Sequence, residues 1–232
     1  MKTAAPIVDV IIPAYNEQHS IGNVIAGIDK QLVREIVVVN NNSSDQTGVN
    51  AAKEGATVLL EIRQGYGSAC LKGMDYLGRK DVPPEIVVFI DGDYADFPEE
   101  ISKVIDPILT SNVDFVIGSR ALGNKEKGAM MPQQVFGNWL ATRLLRMFYG
   151  VRFTDLGPFR AIKWNSLMSL GMRDKDYGWT VEMQLKAAKK KLVCTEVPVN
   201  YRKRIGISKV SGTVKGSVMA GYKIITTIFK YL

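Results

Sequence analysis

The chain has 232 residues, 46% apolar and 23% charged, enough for one sizeable core and ordinary for a globular fold. Its formal charge of +7 suits an anionic partner: a phosphorylated substrate, a membrane surface or nucleic acid. One histidine, His19, and two distant cysteines, Cys70 and Cys194, exclude a serine–histidine hydrolase, a multi-histidine zinc centre and a disulfide framework.

Val8 to Ile12 is a β-rich apolar run. Ile21, Val24, Ile25 and Ile28 then recur at helical spacing. Ile36 to Val39 is a second strand, and Asp45 is placed to cap a short helix through Glu54. Thr57 to Leu60 is a third strand, Gly67 to Leu77 a helix, and Ile86 to Ile90 a fourth, wholly apolar strand. A helix follows Pro98 to about Leu109, then a strand from Phe115 to Gly118. Asn138 to Phe148 and Gly178 to Lys190 read as helices, and Cys194 to Val199 as a late strand. Continuous apolar strands alternating with helices predict an α/β fold with a mostly parallel central sheet flanked by helices. No linker or repeat divides the chain, so a single domain over 1–232 is expected. No basic-then-apolar leader and no run near ~20 apolar residues is visible, so neither a signal peptide nor a membrane-spanning helix is expected.

In open α/β sheets, ligands gather at the carboxyl ends of the strands. Three polar clusters occupy such ends: Pro13-Ala14-Tyr15-Asn16-Glu17, Asn40 to Asp45, and Asp91-Gly92-Asp93-Tyr94-Ala95-Asp96. The last carries the strongest signal. Five apolar residues run into two acids separated by one glycine, and Asp91 and Asp93 can converge on one hard cation there. Gly92 leaves room beside them. Such an ion bridges diphosphate oxygens and neutralises a departing nucleotide; a solvated acidic turn is the plainer alternative. Gly65-Tyr66-Gly67-Ser68-Ala69-Cys70 imitates a dinucleotide fingerprint but lacks its third glycine and follows the third strand. Its glycines are read as letting Arg63 and a helix start approach a phosphate, with a plain loop as the alternative.

Arg202, Lys203, Arg204 and Lys209 form a basic cluster suited to phosphate. Val214, Val218, Tyr222, Ile225 and Phe229 share one face of a C-terminal amphipathic helix over 211–232, beside Lys215, Lys223 and Lys230. That face suits a membrane interface, core packing or a homo-oligomer contact. Trp139, Leu140, Leu144, Leu145 and Phe148 form another apolar face, expected in the core, with a face near a lipid as the alternative. Asp155 to Arg160 reads as a tight turn.

The strands ending in PAYNE, NNNSSDQT and DGDYADFPEE, with Val116-Ile117-Gly118-Ser119-Arg120 after them, resemble the family 2 glycosyltransferases of GT-A fold. Within these, the chain is most similar to the dolichol-phosphate mannosyltransferase and polyprenyl-phosphate glucosyltransferase branch, from about Val8 to Lys209. The resemblance implies a nucleotide-sugar half over about 1–120 and an acceptor half over about 121–210. It implies that Pro13, Tyr15 and Glu17 line the base and ribose pocket, that Asn41 reads the base, and that Arg63 and Gly65 approach the donor. Asp91 and Asp93 become the ligands of Mg2+ or Mn2+. Arg120 contacts phosphate, Glu182 is an acid on the acceptor side, and Arg204 with Lys209 belongs to the basic loop over the phosphates.

Two positions depart from the pattern. Asn40-Asn41 replaces a pair of aspartates, which favours a UDP-sugar over GDP-mannose because an amide oxygen accepts from uracil. Ala95 replaces a glutamine, leaving Asp96 or water as the third metal ligand. The expected reaction is inverting transfer of a hexose to a polyprenyl or dolichyl phosphate by a protein peripheral to the inner, cytoplasmic face of a membrane. An anionic acceptor needs no strong base; a hydroxyl acceptor needs Glu182 or Asp96. Transfer to a soluble or polysaccharide hydroxyl and a non-catalytic nucleotide-sugar-binding subunit are the competing readings. No nucleic-acid motif is present.

Overall fold

The computed structural model describes residues 6–206 and 214–231. Its strands are β1 (Val8–Ala14), β2 (Glu35–Asn40), β3 (Thr57–Leu60), β4 (Ile86–Phe89), β5 (Phe115–Ser119), β6 (Arg160–Lys163) and β7 (Cys194–Pro198). They form one sheet in the order β3-β2-β1-β4-β6-β5-β7. β6 pairs antiparallel with both β4 and β5, and the other pairings are parallel. The sheet is therefore mostly parallel, as the apolar runs predict.

The strand β6 was not expected. Its residues Arg-Ala-Ile-Lys are too few and too polar at the ends to signal a strand. Arg160 is nevertheless fully buried. Its guanidinium donates to the carbonyls of Leu156, Gly157 and Thr180, which ties the preceding turn to the helix beyond it.

The helices are α1 (Ile21–Gly27), α2 (Thr47–Lys53), α3 (Tyr66–Gly78), α4 (Ile101–Thr110), α5 (Pro132–Tyr149), α6 (Trp164–Leu170), α7 (Trp179–Lys189) and α8 (Val214–Lys230). Alternate strand residues point to opposite faces, and each face has its own core. Val10, Ile12, Val38 and Val88 pack under α1, α2 and α4. Ile11, Val37, Val39 and Phe89 pack under α3 and α5 to α8. This two-sided burial is why the strands are apolar without alternation.

The expected core face of α5 is only partly buried. Leu145 is buried, but Trp139 is 52% exposed and Phe148 38%. Ala141 and Leu145 are the fully buried residues of this helix, and Leu144 and Tyr149 pack partly against the same core, while Trp139 and Phe148 face outward. On α8, Ile228 and Thr227 are buried while Tyr222 and Phe229 are exposed. The face expected from sequence is thus the outer one where its side chains are described; Val214, Lys215 and Val218 lie outside the described side chains. Phe148 and Phe229 meet edge to face at 5.6 Å between ring centroids. Among the described residues, no helix is long and apolar enough to cross a membrane.

Candidate active site

The ends of β1, β2 and β4 converge as predicted. A cleft of about 270 Å3 there is lined by Pro13, Tyr15, Glu17, Asn41, Gly65, Asp91, Gly92, Asp93 and Arg204, together with Gln64, Tyr66 and Tyr177. The polar residues after β1 and β2 lace the two loops together. Ser43 Oγ accepts from the Asn16 amide at 3.0 Å, Thr47 Oγ1 from the Glu17 amide at 2.7 Å, and Asp45 from the Gln18 amide at 3.2 Å. Asp45 also accepts from the Thr47 amide at 2.9 Å, at the start of α2. Asn16 and Asn42 take positive φ, 54° and 61°, a conformation asparagine tolerates.

Asn41 closes the cleft's floor, and its amide is occupied. Nδ2 donates to the carbonyls of Glu61 and Arg63, and Oδ1 accepts from the Gly65 amide at 2.8 Å. One lone pair of Oδ1 is left for a base. Gly65, at φ 145°, presses against the loop before α7: an added Cβ would stand 2.2 Å from the Lys175 carbonyl oxygen. At Gly67 it would stand 2.0 Å from the Asp174 carbonyl oxygen. These glycines therefore let the backbone of the loop before α7 approach closely. The Arg63 side chain turns away from the cleft. It lines a separate, polar cleft with Arg173, Lys175, Lys223 and Lys230.

The two aspartates of the DGD turn differ. Asp93 is buried; its Oδ1 accepts from the Ala95 amide at 2.9 Å and its Oδ2 is 2.8 Å from Arg204 Nη2. Asp91 has a buried Oδ1 with no hydrogen-bond partner, and the buried Tyr66 hydroxyl beside the cleft has none either. Burial, reinforced by the charge of Asp93, pushes the Asp91 carboxyl up to about 7, against the pull of the Arg204 and Arg120 charges. An orphaned buried oxygen in a cleft lined by a second carboxylate is a donor set that a divalent cation satisfies. Asp96 is buried with both oxygens unpartnered; burial, then the Asp91 charge, holds it well above the ordinary carboxylate range. Among the described residues, no three acidic, histidine or cysteine side chains come together as a metal-binding group. Asp96 therefore does not join Asp91 and Asp93 as a third ligand here. It sits beneath them, against Tyr201.

A second cleft of about 330 Å3 adjoins the first and shares Tyr66, Asp91, Tyr177 and Arg204 with it. Arg120 lines it, held by Asp155 through Nε at 2.8 Å and Nη2 at 2.7 Å, with the Arg120 amide on the same carboxylate. Burial pushes the Asp155 carboxyl up, but the Arg120 guanidinium outweighs it and holds the group below its ordinary value. Both α5, through Gln133, Gln134, Gly137 and Asn138, and α8, through Gly221 and Ile224, line this cleft, together with Met130, Leu156 and Pro158.

The segment 201–205 lies along the DGD turn. The Arg202 amide donates to the Ala95 carbonyl and the Ile205 amide to the Asp93 carbonyl, at 2.9 and 3.0 Å. The Arg202 guanidinium stacks on Tyr94 and Phe97, 3.5 and 3.9 Å from their ring centroids. That clamp holds Tyr94 at φ 61°, a conformation costly for a bulky residue. Lys209 lies outside the described residues, as do Ile207 and Ser208.

Glu182 is placed away from both clefts. It is buried and accepts from the amides of Arg173 and Asp174, from the Tyr231 hydroxyl at 2.6 Å and from Lys186 Nζ at 2.7 Å. Burial pushes its carboxyl up, but the bonds from Lys186 and Tyr231 outweigh this and hold it below its ordinary value. Tyr66, Tyr177 and Tyr201 escaped sequence reasoning as site residues, since no acidic or glycine-rich strand-end motif marks them, whereas the Asp155 to Arg160 turn resembles the acceptor-side loop of the branch, where a structural or an acceptor role is expected for Asp155 and Arg160.

The family 2 glycosyl transferase model matches residues 9–171. The chain belongs to glycosyl transferase family 2. It is 32% identical over 219 residues to an uncharacterized glycosyltransferase of Mycobacterium tuberculosis, covering 94% of this chain and 95% of that one. It is 28% identical to the UDP-N-acetylglucosamine–dolichyl-phosphate N-acetylglucosaminyltransferase of Methanococcus voltae, covering 95% and 94%. Its structure is similar to that of glucosyl-3-phosphoglycerate synthase from Mycobacterium tuberculosis in complex with Mn2+, UDP-glucose and phosphoglyceric acid, with a TM-score of 0.78, 22% identity and coverage of 98% and 80%. The family 2 chain thus has the GT-A glycosyltransferase fold expected from its three strand-end motifs.

Proposed function

We propose that this family 2 glycosyltransferase moves a hexose from a UDP-sugar to a polyprenyl or dolichyl phosphate at a membrane surface. The observation that carries the acceptor is the second cleft. Its lining combines the charged Asp91, Arg120 and Arg204 with the apolar Met130, Leu156, Pro158 and Ile224. A phosphate head with an apolar tail matches that polarity. On the same two helices, α5 and α8, Phe136, Trp139, Tyr222 and Phe229 are exposed, side chains suited to lipid contact. The donor reading is supported by the first cleft and by the UDP-sugar named for the Methanococcus voltae relative. Residues 1–120 serve the nucleotide sugar, 121–210 the acceptor, and the C-terminal helix the membrane. Cys70 and Cys194 are free thiols, which suits the reducing, cytoplasmic side.

The chemistry is an inverting displacement at the anomeric carbon. Asp91 and Asp93 would hold Mg2+ or Mn2+, whose charge neutralises the leaving diphosphate. Arg120 is fixed by Asp155 before any substrate arrives, so its guanidinium needs no reorganisation to meet a phosphate. Arg204 stands between the clefts and adds positive charge to the same space. The acceptor phosphate is already an anion near neutral pH, so no side chain must remove a proton. This agrees with the placement of Glu182, which is committed to Lys186 and Tyr231.

A soluble phosphorylated acceptor is the second reading. Gln133, Gln134, Asn138 and Thr180 also line the second cleft, and the similar synthase was solved with phosphoglyceric acid. The two separate in one assay. The chain is incubated with Mn2+, each of UDP-glucose, UDP-galactose, UDP-N-acetylglucosamine and GDP-mannose, and either a short-chain polyprenyl phosphate or 3-phosphoglycerate. Transfer from a UDP-sugar to the polyprenyl phosphate is expected. Transfer only to phosphoglycerate establishes the second reading, and transfer to neither refutes both.

A further inference from the structure

Arg204 is the side chain through which the two clefts touch, since it lines both. Its Nη2 stands 2.8 Å from Asp93 Oδ2, while Asp93 Oδ1 is taken by the Ala95 amide. The charge opposite Asp93 is therefore a guanidinium, on the carboxylate oxygen left for an incoming cation. The backbone on either side is anchored: Arg202 and Ile205 donate to the carbonyls of Ala95 and Asp93, and Arg202 is clamped on Tyr94 and Phe97. The loop backbone is thus held independently of the Arg204 side chain.

We propose that Arg204 is a positioning residue that competes with the divalent cation for Asp93 and passes to the donor diphosphate when that cation binds. The inference rests on the reading of Asp91 and Asp93 as the cation-binding pair. A guanidinium and a divalent ion on one carboxylate repel each other at short range. The nucleotide diphosphate supplies the extra negative charge that accepts the displaced guanidinium, to which Arg is well matched. Cation and nucleotide then strengthen each other's binding, and by linkage the effect is reciprocal.

Manganese binding followed by electron paramagnetic resonance, first alone and then with UDP, tests this without turnover. The parent protein is expected to bind Mn2+ weakly alone and several-fold more tightly with UDP. Arg204→Gln is expected to bind Mn2+ alone roughly tenfold more tightly than the parent, with most of the UDP enhancement lost. Arg204→Lys keeps the charge and is expected to behave like the parent, which separates competition from a loosened fold. Asp93→Asn is expected to lose Mn2+ with or without UDP. If Arg204→Gln binds Mn2+ alone no more tightly than the parent while Asp93→Asn loses it, the competition is refuted and the cation pair stands. If the parent binds no Mn2+ under either condition, the cation-pair reading fails and the competition with it.

Discussion

Asp155 and Arg120 illustrate how a residue's chemistry is set by its neighbour. Asp155 is fully buried and receives three hydrogen bonds from Arg120. Removing one member of a buried pair strands the other charge, which costs about 3–5 kcal/mol. Asp155→Ala should therefore lower the unfolding free energy by about 3 kcal/mol in a urea titration, and Arg120→Met should cost at least as much because it leaves the buried Asp155 carboxylate without its partner. Equal, negligible losses would show that the pair is not a buried strut. At this scale, legibility in the sequence followed the strand ends. Pro13, Tyr15, Glu17, Asp91 and Asp93 stand directly after apolar runs, so their edge was readable before any coordinates. Asn41 lines the cleft as its strand end implies, but its amide also bonds the 61–65 loop at both ends, and spacing cannot reveal such partners. Arg63 and Glu182 were misplaced relative to the clefts because side-chain direction depends on tertiary packing.

At the scale of elements, α7 and the end of the chain are joined through Glu182. Tyr231 and Lys186 both bind its carboxylate, and it also caps the amides of Arg173 and Asp174. Its pKa lies below the ordinary 4.5 in the folded protein. Stability from this group is thus fully present above the unfolded value and is lost as pH falls through the folded one. Thermal melts of the parent should fall below pH 4.5 more steeply than those of Glu182→Gln, which cannot titrate. Parallel curves would contradict this. Most elements were legible because the sheet is buried on both sides, and continuous Val and Ile runs announce that. β6 was not, because a four-residue strand between two others takes its stability from β4 and β5, not from its own composition. The outward face of α5 was hidden for a related reason. Its apolar period marks a helix, but which side meets the core depends on α7 and α8.

For the whole molecule, donor chemistry sits at one sheet edge and an apolar surface lies beyond it on α5 and α8. Phe136 and Trp139 lie 5.8 Å apart between centroids, and Arg143 stacks on Trp139 at 5.8 Å. Exposed aromatics beside arginine suit an anionic bilayer. The double variant Phe136→Glu, Trp139→Glu should sediment at least tenfold less with phosphatidylglycerol vesicles, while UDP binding is unchanged. Undiminished sedimentation would place the membrane contact elsewhere. The central claim concerns the other end of the molecule, where Asp91 and Asp93 are to hold a cation against a diphosphate. Calorimetric titration of UDP in Mn2+ and in EDTA, on the parent and on Asp91→Asn, measures it most directly. The account predicts UDP binding at least tenfold tighter with Mn2+ for the parent and no Mn2+ effect for Asp91→Asn; equal UDP affinity in Mn2+ and EDTA for the parent would contradict it.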